Sequence, residues 1–211
     1  MPQRISFVPL ETLDELMQAE LRRCAEHGTP RPESSAVRAH APNAFWAFAD
    51  SWQALFRAGV CDHAIKELCR VCISRTVTCE FCGNQRSEQG AELGLREMQY
   101  DDLLNFEASE VYDDRQKAAL RYAQAIAWGE ASIADVDGMW RALGEHFTEP
   151  ELVELGCFIA LTFGQQSWIR LLGIQHHQYL AGTGAAMAPG LGTPEGYAAA
   201  VSSPQYWAAA E

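Results

Sequence analysis

Apolar residues recur along this chain at three- and four-residue intervals, and no segment sustains the alternation of a strand. Leu10, Leu13, Leu16, Met17 and Leu21 form the first stripe and predict an amphipathic helix from Leu10 to His27. GTPRPESS then reads as a loop, because Gly and two prolines interrupt the pattern and each Pro restricts the residue before it. Phe45, Trp46, Phe48, Trp52, Leu55 and Phe56 mark a second helix over about 43–58. A third begins near Asp62 and carries Ile65, Leu68, Cys69, Val71 and Cys72. The β-branched run Thr76-Val77-Thr78 weakens helix, so a new one is predicted to start at Cys79 and to end around Gly90 and Gly94. A short helix from Leu95 to about Leu104 follows.

Two capping signals divide the remainder. Asp113-Asp114-Arg115-Gln116 opens a helix to Gly129, and Thr148-Glu149-Pro150-Glu151 opens a long one through Leu180. Between them lies a helix from about Val136 to His146. The fold class is all-α, a helical bundle. Three regions are expected: an N-terminal helix and loop over 1–36, a helical domain over 37–180, and a tail over 181–211 rich in Ala, Gly, Ser and Pro. Tyr197, Tyr206 and Trp207 in that tail are candidates for docking on a neighbouring subunit. The longest apolar stretch, Leu152 to Gly164, contains Glu154 and is too short to span a bilayer, so it reads as a buried core helix with Cys157 inside it.

Composition narrows the function classes. In 211 residues, 48% are hydrophobic and 21% charged, a balance that supports one domain with a substantial core. A formal net charge of −12 repels phosphate backbones and anionic lipid, so nucleic acid and membrane surfaces are not expected partners. The first sixteen residues lack the charged-then-apolar pattern of a signal peptide, and the expected location is cytoplasmic. Seven cysteines, an odd number without a secretory signal, do not form a structural disulfide framework in a reducing compartment.

The sharpest chemical feature is Glu67 followed twelve residues later by Cys79-Glu80-Phe81-Cys82. Positions i and i+3 share a helix face, so the two sulfurs can meet and bond. In the first turn of a helix, backbone N–H groups and the dipole favour a thiolate. A thiolate attacks a peroxide or a disulfide, and the second cysteine then closes an internal disulfide. On one unbroken helix Glu67 and Cys79 would lie roughly 18 Å apart. A turn at Thr76 to Thr78 folds the chain back and lets the carboxylate approach the thiols as a proton acceptor. Structural zinc on Cys69, Cys72, Cys79 and Cys82 competes, although six intervening residues are fewer than zinc ribbons normally use. Core packing is favoured for Cys69, Cys72 and Cys157, while Cys24 and Cys61 show no evident partner. No metal or other cofactor is expected.

Three phrases, HAPNAFWAFADSWQALFRAGVCDHAIKEL, Cys79-Glu80-Phe81-Cys82, and DDRQKAALRYAQAIAW with FTEPELVELGCFIALTFGQQSWIRLLG, resemble the carboxymuconolactone decarboxylase and AhpD-like alkylhydroperoxidase superfamily over about 38–178. The resemblance implies an AhpD-like helical bundle that forms homo-oligomers, often trimers or hexamers. It also implies a thiol-dependent peroxidase or disulfide oxidoreductase cycle of the peroxiredoxin type, with a peroxide or disulfide substrate and a thiol reductant. By that likeness Glu67 is the proton-relay carboxylate, Cys82 the reactive thiol and Cys79 its disulfide partner. The hydroperoxidase branch has a histidine four residues after the second cysteine. Here that position is Arg86, whose charge can stabilise a thiolate but which cannot shuttle a proton at neutral pH. His63, His176 and His177 are candidate substitutes. The decarboxylase branch does not rely on a CxxC pair, so lactone decarboxylation is not expected. Phe45, Trp46, Phe48, Trp52, Phe56, Phe163 and Trp168, and the polar pair Gln165 and Gln166, either line a substrate pocket or serve as core and subunit contacts. The alternative function is a non-catalytic helical oligomer that binds a small apolar ligand or partner.

Overall fold

The computed structural model describes residues 3–174; the tail over 181–211, with Tyr197, Tyr206 and Trp207, and also His176 and His177, lie outside the described residues. Within them every regular element is a helix. The stripe that begins at Leu10 makes a 3-10 turn over Leu10–Thr12 and then breaks, because Leu13 is extended. Asp14 restarts it: its side chain accepts from the Met17 amide at 2.8 Å, and α1 (Glu15–His27) follows. The expected loop after α1 contains α2 (Pro32–Arg38), which the prolines do not prevent because Pro32 is its first residue, where no intrahelical N–H is needed.

α3 (Pro42–Trp52) runs on as a single π-helical turn, Gln53–Arg57. Asp62 caps α4 (His63–Thr76) by accepting from the Ala64 amide at 2.7 Å. The chain then reverses at Thr78, which has a positive φ of 53°, and Cys79 N donates back to Ser74 O at 2.9 Å. Three short helices come next: α5 (Glu80–Gly83), α6 (Glu88–Glu92) and α7 (Glu97–Asp101). α8 (Asp114–Trp128) opens with the expected capping box, in which Asp113 accepts from Gln116 N while Gln116 accepts from Asp113 N. After α9 (Val136–His146), α10 (Glu149–Leu172) begins with the Glu151 carboxylate on Thr148 N and Oγ1, each at 2.8 Å. It ends at Leu172 instead of continuing through 180, because Gly173 takes the left-handed conformation (φ 66°) that terminates helices.

α4 lies at the centre, packed against α8 and α10, with α9 covering α8. Leu68, Cys69, Val71 and Ile73 of α4 meet Ala118, Ala119 and Leu120 of α8 and Leu155 and Ile159 of α10 in the principal core. Cys69 is wholly buried there, with its thiol on Ala119 O, so it is the packing residue that its stripe suggests. Cys157 is not. It is exposed on α10, because that helix carries apolar residues around its whole circumference and the described chain covers one side. A partly buried ion pair fastens α10 to the start of α4: Lys66 Nζ lies 2.9 Å from Glu154 Oε1 and also donates to the carbonyls of Leu55 and Ala58. Glu154 in turn accepts from the amides of Val60 and Cys61. Its carboxylate occupies the space that a Cβ at position 59 would need, and Gly59 has a φ of 94°, so glycine is required twice over. No helix among the described residues is long and apolar enough to cross a membrane.

Candidate active site

Cys79 and Cys82 are joined by a disulfide across one turn, with their Cα atoms 5.3 Å apart. Cys79 is the N-cap of α5, and its sulfur accepts from Cys82 N at 3.4 Å. The predicted helix from Cys79 to the glycines is therefore a single turn, and a dipole from four residues contributes little to a thiolate. Its short length has a cause outside the turn itself. Arg70 of α4 reaches under the turn and takes Cys82 O at 3.0 Å and Gln85 O at 2.7 Å, diverting carbonyls from the helical ladder. Gln85 is itself held by Thr29 Oγ1 and Arg31 N on its side-chain oxygen.

Arg70 is 1% exposed and Glu67 0%, and the two form a bidentate pair at 2.6 and 2.9 Å. The second acceptor site of Glu67 is filled by the Ser87 amide at 2.9 Å. All three guanidinium nitrogens are thus engaged, two by the carboxylate and two by the thiol-bearing turn. The fold-back at Thr76 to Thr78 forms as expected, but Glu67 reaches the cysteine turn through Arg70. The group of α4 that stands beside Cys82 is the cation. A buried ion pair of this kind rests on its hydrogen bonds, since removing either partner leaves an uncompensated charge.

Cys82, not Cys79, lines a small cavity of about 20 Å³, room for roughly one water-sized molecule. Arg70 and Gln85 share that lining with Phe48 and Trp52 of α3 and with Thr162, Gln165, Gln166 and Ile169 of α10. The two glutamines that interrupt the apolar run of α10 thus face the cysteine, and Gln166 Nε2 donates to Arg70 O at 3.2 Å. Of the aromatics named from the sequence, Phe48 and Trp52 line the cavity. Phe56 instead stacks on Phe158 and against the His63 ring.

Arg86 lies elsewhere. Its guanidinium pairs with Glu97, stacks over Tyr100 and donates to Gly83 O and Gln85 O, so it braces the outside of the turn and is absent from the cavity wall. His63 is buried, with Nδ1 2.8 Å from Phe56 O and Nε2 2.7 Å from Ser87 Oγ. A carbonyl only accepts, so Nδ1 carries the proton and Nε2 accepts from the serine. Burial holds its pKa below the ordinary histidine value, which keeps the ring neutral. Ser87 therefore meets both candidate relay groups, offering its hydroxyl to His63 and its amide to Glu67.

The other thiols are chemically quiet where they are buried. Desolvation, helped by Glu20, pushes Cys24 up to about 12, and burial pushes Cys61 and Cys72 to about 11 and Cys69 well above its usual value. Cys69 and Cys72 belong to the principal core, whereas Cys79 and Cys82 pack with Val37, Ile169 and Leu172. The four do not converge, and no group of three or more potential metal ligands gathers among the described residues.

No family model matches the chain. Two uncharacterized proteins of Mycobacterium tuberculosis, MT2376 (strain CDC 1551 / Oshkosh) and Rv2313c (strain ATCC 25618 / H37Rv), are each 34% identical over 103 residues, 48% of this chain. The match spans 35% of each relative, so the chain covers about a third of their length. Among solved structures, the alkylhydroperoxidase AhpD core, an uncharacterized peroxidase-related protein from Ralstonia eutropha JMP134, superposes with a TM-score of 0.65 at 20% identity, covering 83% of this chain and 92% of its own. A peroxidase-related protein from Silicibacter sp. TM1040 gives 0.64 at 16%, covering 82% and 93%. The debrominase Bmp8, carrying a cysteine-to-alanine substitution and in complex with 2,3,4-tribromopyrrole, gives 0.67 at 14%, covering 95% and 98%. The chain has the AhpD-like helical fold.

Proposed function

We propose that the protein is a thiol-dependent peroxidase or disulfide oxidoreductase in which Cys82 is the attacking thiol and Cys79 its resolving partner. One observation carries this reading: the Cys79–Cys82 pair is bonded, and Cys82 alone of the two borders a cavity whose wall includes the buried Arg70 guanidinium. In the reduced state a fixed cation beside a desolvated thiol favours the thiolate, the species that attacks an O–O or S–S bond. Arg70 then supplies the charge that a helix dipole or Arg86 was expected to supply. Glu67 holds Arg70 in place and balances its charge, and Arg86 positions the turn through Gly83 O and Gln85 O. An external dithiol returns the pair to the reduced state.

Peroxide consumption with a dithiol donor tests the reading. Cys82→Ser is expected to abolish it, and Cys79→Ser to stop turnover after a single oxidation at Cys82. Activity that survives in the double cysteine variant would end the proposal.

A further inference from the structure

The Cys79–Cys82 disulfide is closed off from solvent. Each cysteine is 3% exposed, and the cavity of about 20 Å³ beside Cys82 is far smaller than a dithiol. Attack on a disulfide brings a thiolate onto one of the two sulfurs, so a reductant reaches this pair only after something moves. The pair packs with Val37, Phe81, Ile169, Leu172 and Ile174, and among the described residues Phe7, Val77 and Trp168 are the partly buried side chains set against that cluster. Val77 follows directly on α4 and Trp168 lies in α10, and both helices are fixed in the bundle. Phe7 differs, because residues 3–9 form no regular element.

This segment is a strap laid across the ends of two helices. Arg4 N donates to the carbonyl of Leu172, the last residue of α10, at 2.8 Å, and Val8 N to that of Ala36, in the last turn of α2, at 3.1 Å. Both are carbonyls that a helix end leaves without an internal partner. His40 Nε2 adds an exposed bond to Ser6 O at 3.0 Å. Between these ties Ile5 and Ser6 are exposed, while Phe7 is partly buried and also packs against the cluster of Leu10, Met17, Leu21 and Phe45. A mostly exposed segment of this kind opens at a free energy below that of global unfolding. We infer that residues 3–9 are a gate on the cysteine pair: with Phe7 seated the disulfide is shielded, and withdrawal of the strap admits a dithiol. The inference rests on the thiol redox reading and adds to it a control on access. The incoming thiolate bonds to one sulfur as the Cys79–Cys82 bond breaks, and the second thiol of the reductant then displaces that sulfur and closes its own disulfide. Two electrons and two protons are left on Cys79 and Cys82.

Reduction of the full oxidised chain by dithiothreitol is the test, with freed Cys79 and Cys82 followed by alkylation and mass spectrometry. The wild-type rate should level off as dithiothreitol rises, because opening of the strap becomes limiting. Phe7→Ala is expected to raise the rate about tenfold, the shift in an opening equilibrium that follows from losing part of a buried Phe contact, and to remove the plateau. Arg4→Pro deletes the N–H held by Leu172 O and leaves Phe7 in place, so it should act in the same direction. Two controls should keep the wild-type rate: Ile5→Ala on the exposed side of the strap, and Leu143→Ala in the principal core. Rates unchanged in both Phe7→Ala and Arg4→Pro would overturn the gate and leave the redox reading intact. So would an acceleration by Leu143→Ala equal to that by Phe7→Ala, since opening would then be global. A pair that shows the gated kinetics but, once reduced, consumes no peroxide and reduces no disulfide would end the redox reading and leave the gate standing.

Discussion

His63 illustrates how one side chain ties local chemistry to stability. Its two ring nitrogens are committed, Nδ1–H to the Phe56 carbonyl and Nε2 to Ser87 Oγ–H, and desolvation lowers its pKa below the unfolded value near 6.5. The folded state therefore disfavours the protonated ring. Between the two pKa values the unfolded chain binds more protons, so the contribution of His63 to stability is fully present above about pH 6.5 and declines as pH falls from there. Urea unfolding at pH 7.5 and pH 5.5 checks it. The wild type should lose stability over that interval by more than His63→Gln does, and identical losses would show that the ring does not carry the acid sensitivity. The same scale shows what the sequence disclosed. The closeness of Cys79 and Cys82 is legible because their spacing lets the two sulfurs meet, and Gln165 and Gln166 stand out because they break an apolar run. Arg70 was not legible. A basic residue on an amphipathic helix ordinarily marks the solvated side, and nothing in spacing tells a surface arginine from one buried under a turn. Its hint was indirect: Lys66, Glu67 and Arg70 sit among Ile65, Leu68, Cys69, Val71 and Cys72, which leaves too few positions for a solvated face.

At the level of elements, α4 and the turn that follows it form one unit. The helix stripe and the β-branched stop at Thr76 to Thr78 are local signals, and they place the reversal correctly. The length of α5 is set by a tertiary contact, the Arg70 guanidinium on Cys82 O and Gln85 O, so local propensity overestimates it. The reverse holds for α2, where proline reads as a breaker although at the first helical position it is neutral. Because one side chain links the ion pair, the turn and the cavity wall, damage to the pair should spread. Arg70→Met leaves Glu67 buried with only the Ser87 amide, and Glu67→Gln leaves Arg70 half-compensated. Each is expected to cost about 3–5 kcal/mol of unfolding free energy. The double variant with Glu67→Leu and Arg70→Met should cost clearly less than the sum of the two single changes. Denaturant titration of the three variants measures the coupling, and strict additivity would mean that the two charges do not stabilise each other.

Across the whole molecule, α10 has two kinds of face. Leu155, Phe158, Ile159, Thr162, Gln166 and Ile169 turn inward to the core and the cavity. Val153, Cys157, Ala160 and Gly164, spaced four, three and four residues apart, turn outward and are exposed, with Val153 at 67%. A helix apolar all round is normally covered all round, and this explains why the sequence pointed to burial of Cys157. The outward stripe is small-sided, which suits a second helix at short range, and Val60, held beside it by Glu154, extends the apolar surface. Association of this chain with itself through α10 is the expected consequence. Light scattering on the purified protein should then give a mass that is a multiple of 23.4 kDa. Ala160→Glu, which sets a charge in the middle of the stripe without touching the inward face, should return it to one protomer. Alkylation of Cys157 gives an independent readout, slow in the associated protein and fast in the Ala160→Glu variant. Because Thr162 and Gln166 lie on the opposite side of the same two turns, loss of association should also loosen the cavity beside Cys82. A wild-type chain that is monomeric at all concentrations, with Cys157 freely alkylated, would leave the stripe as plain exposed surface and sever that link between assembly and site.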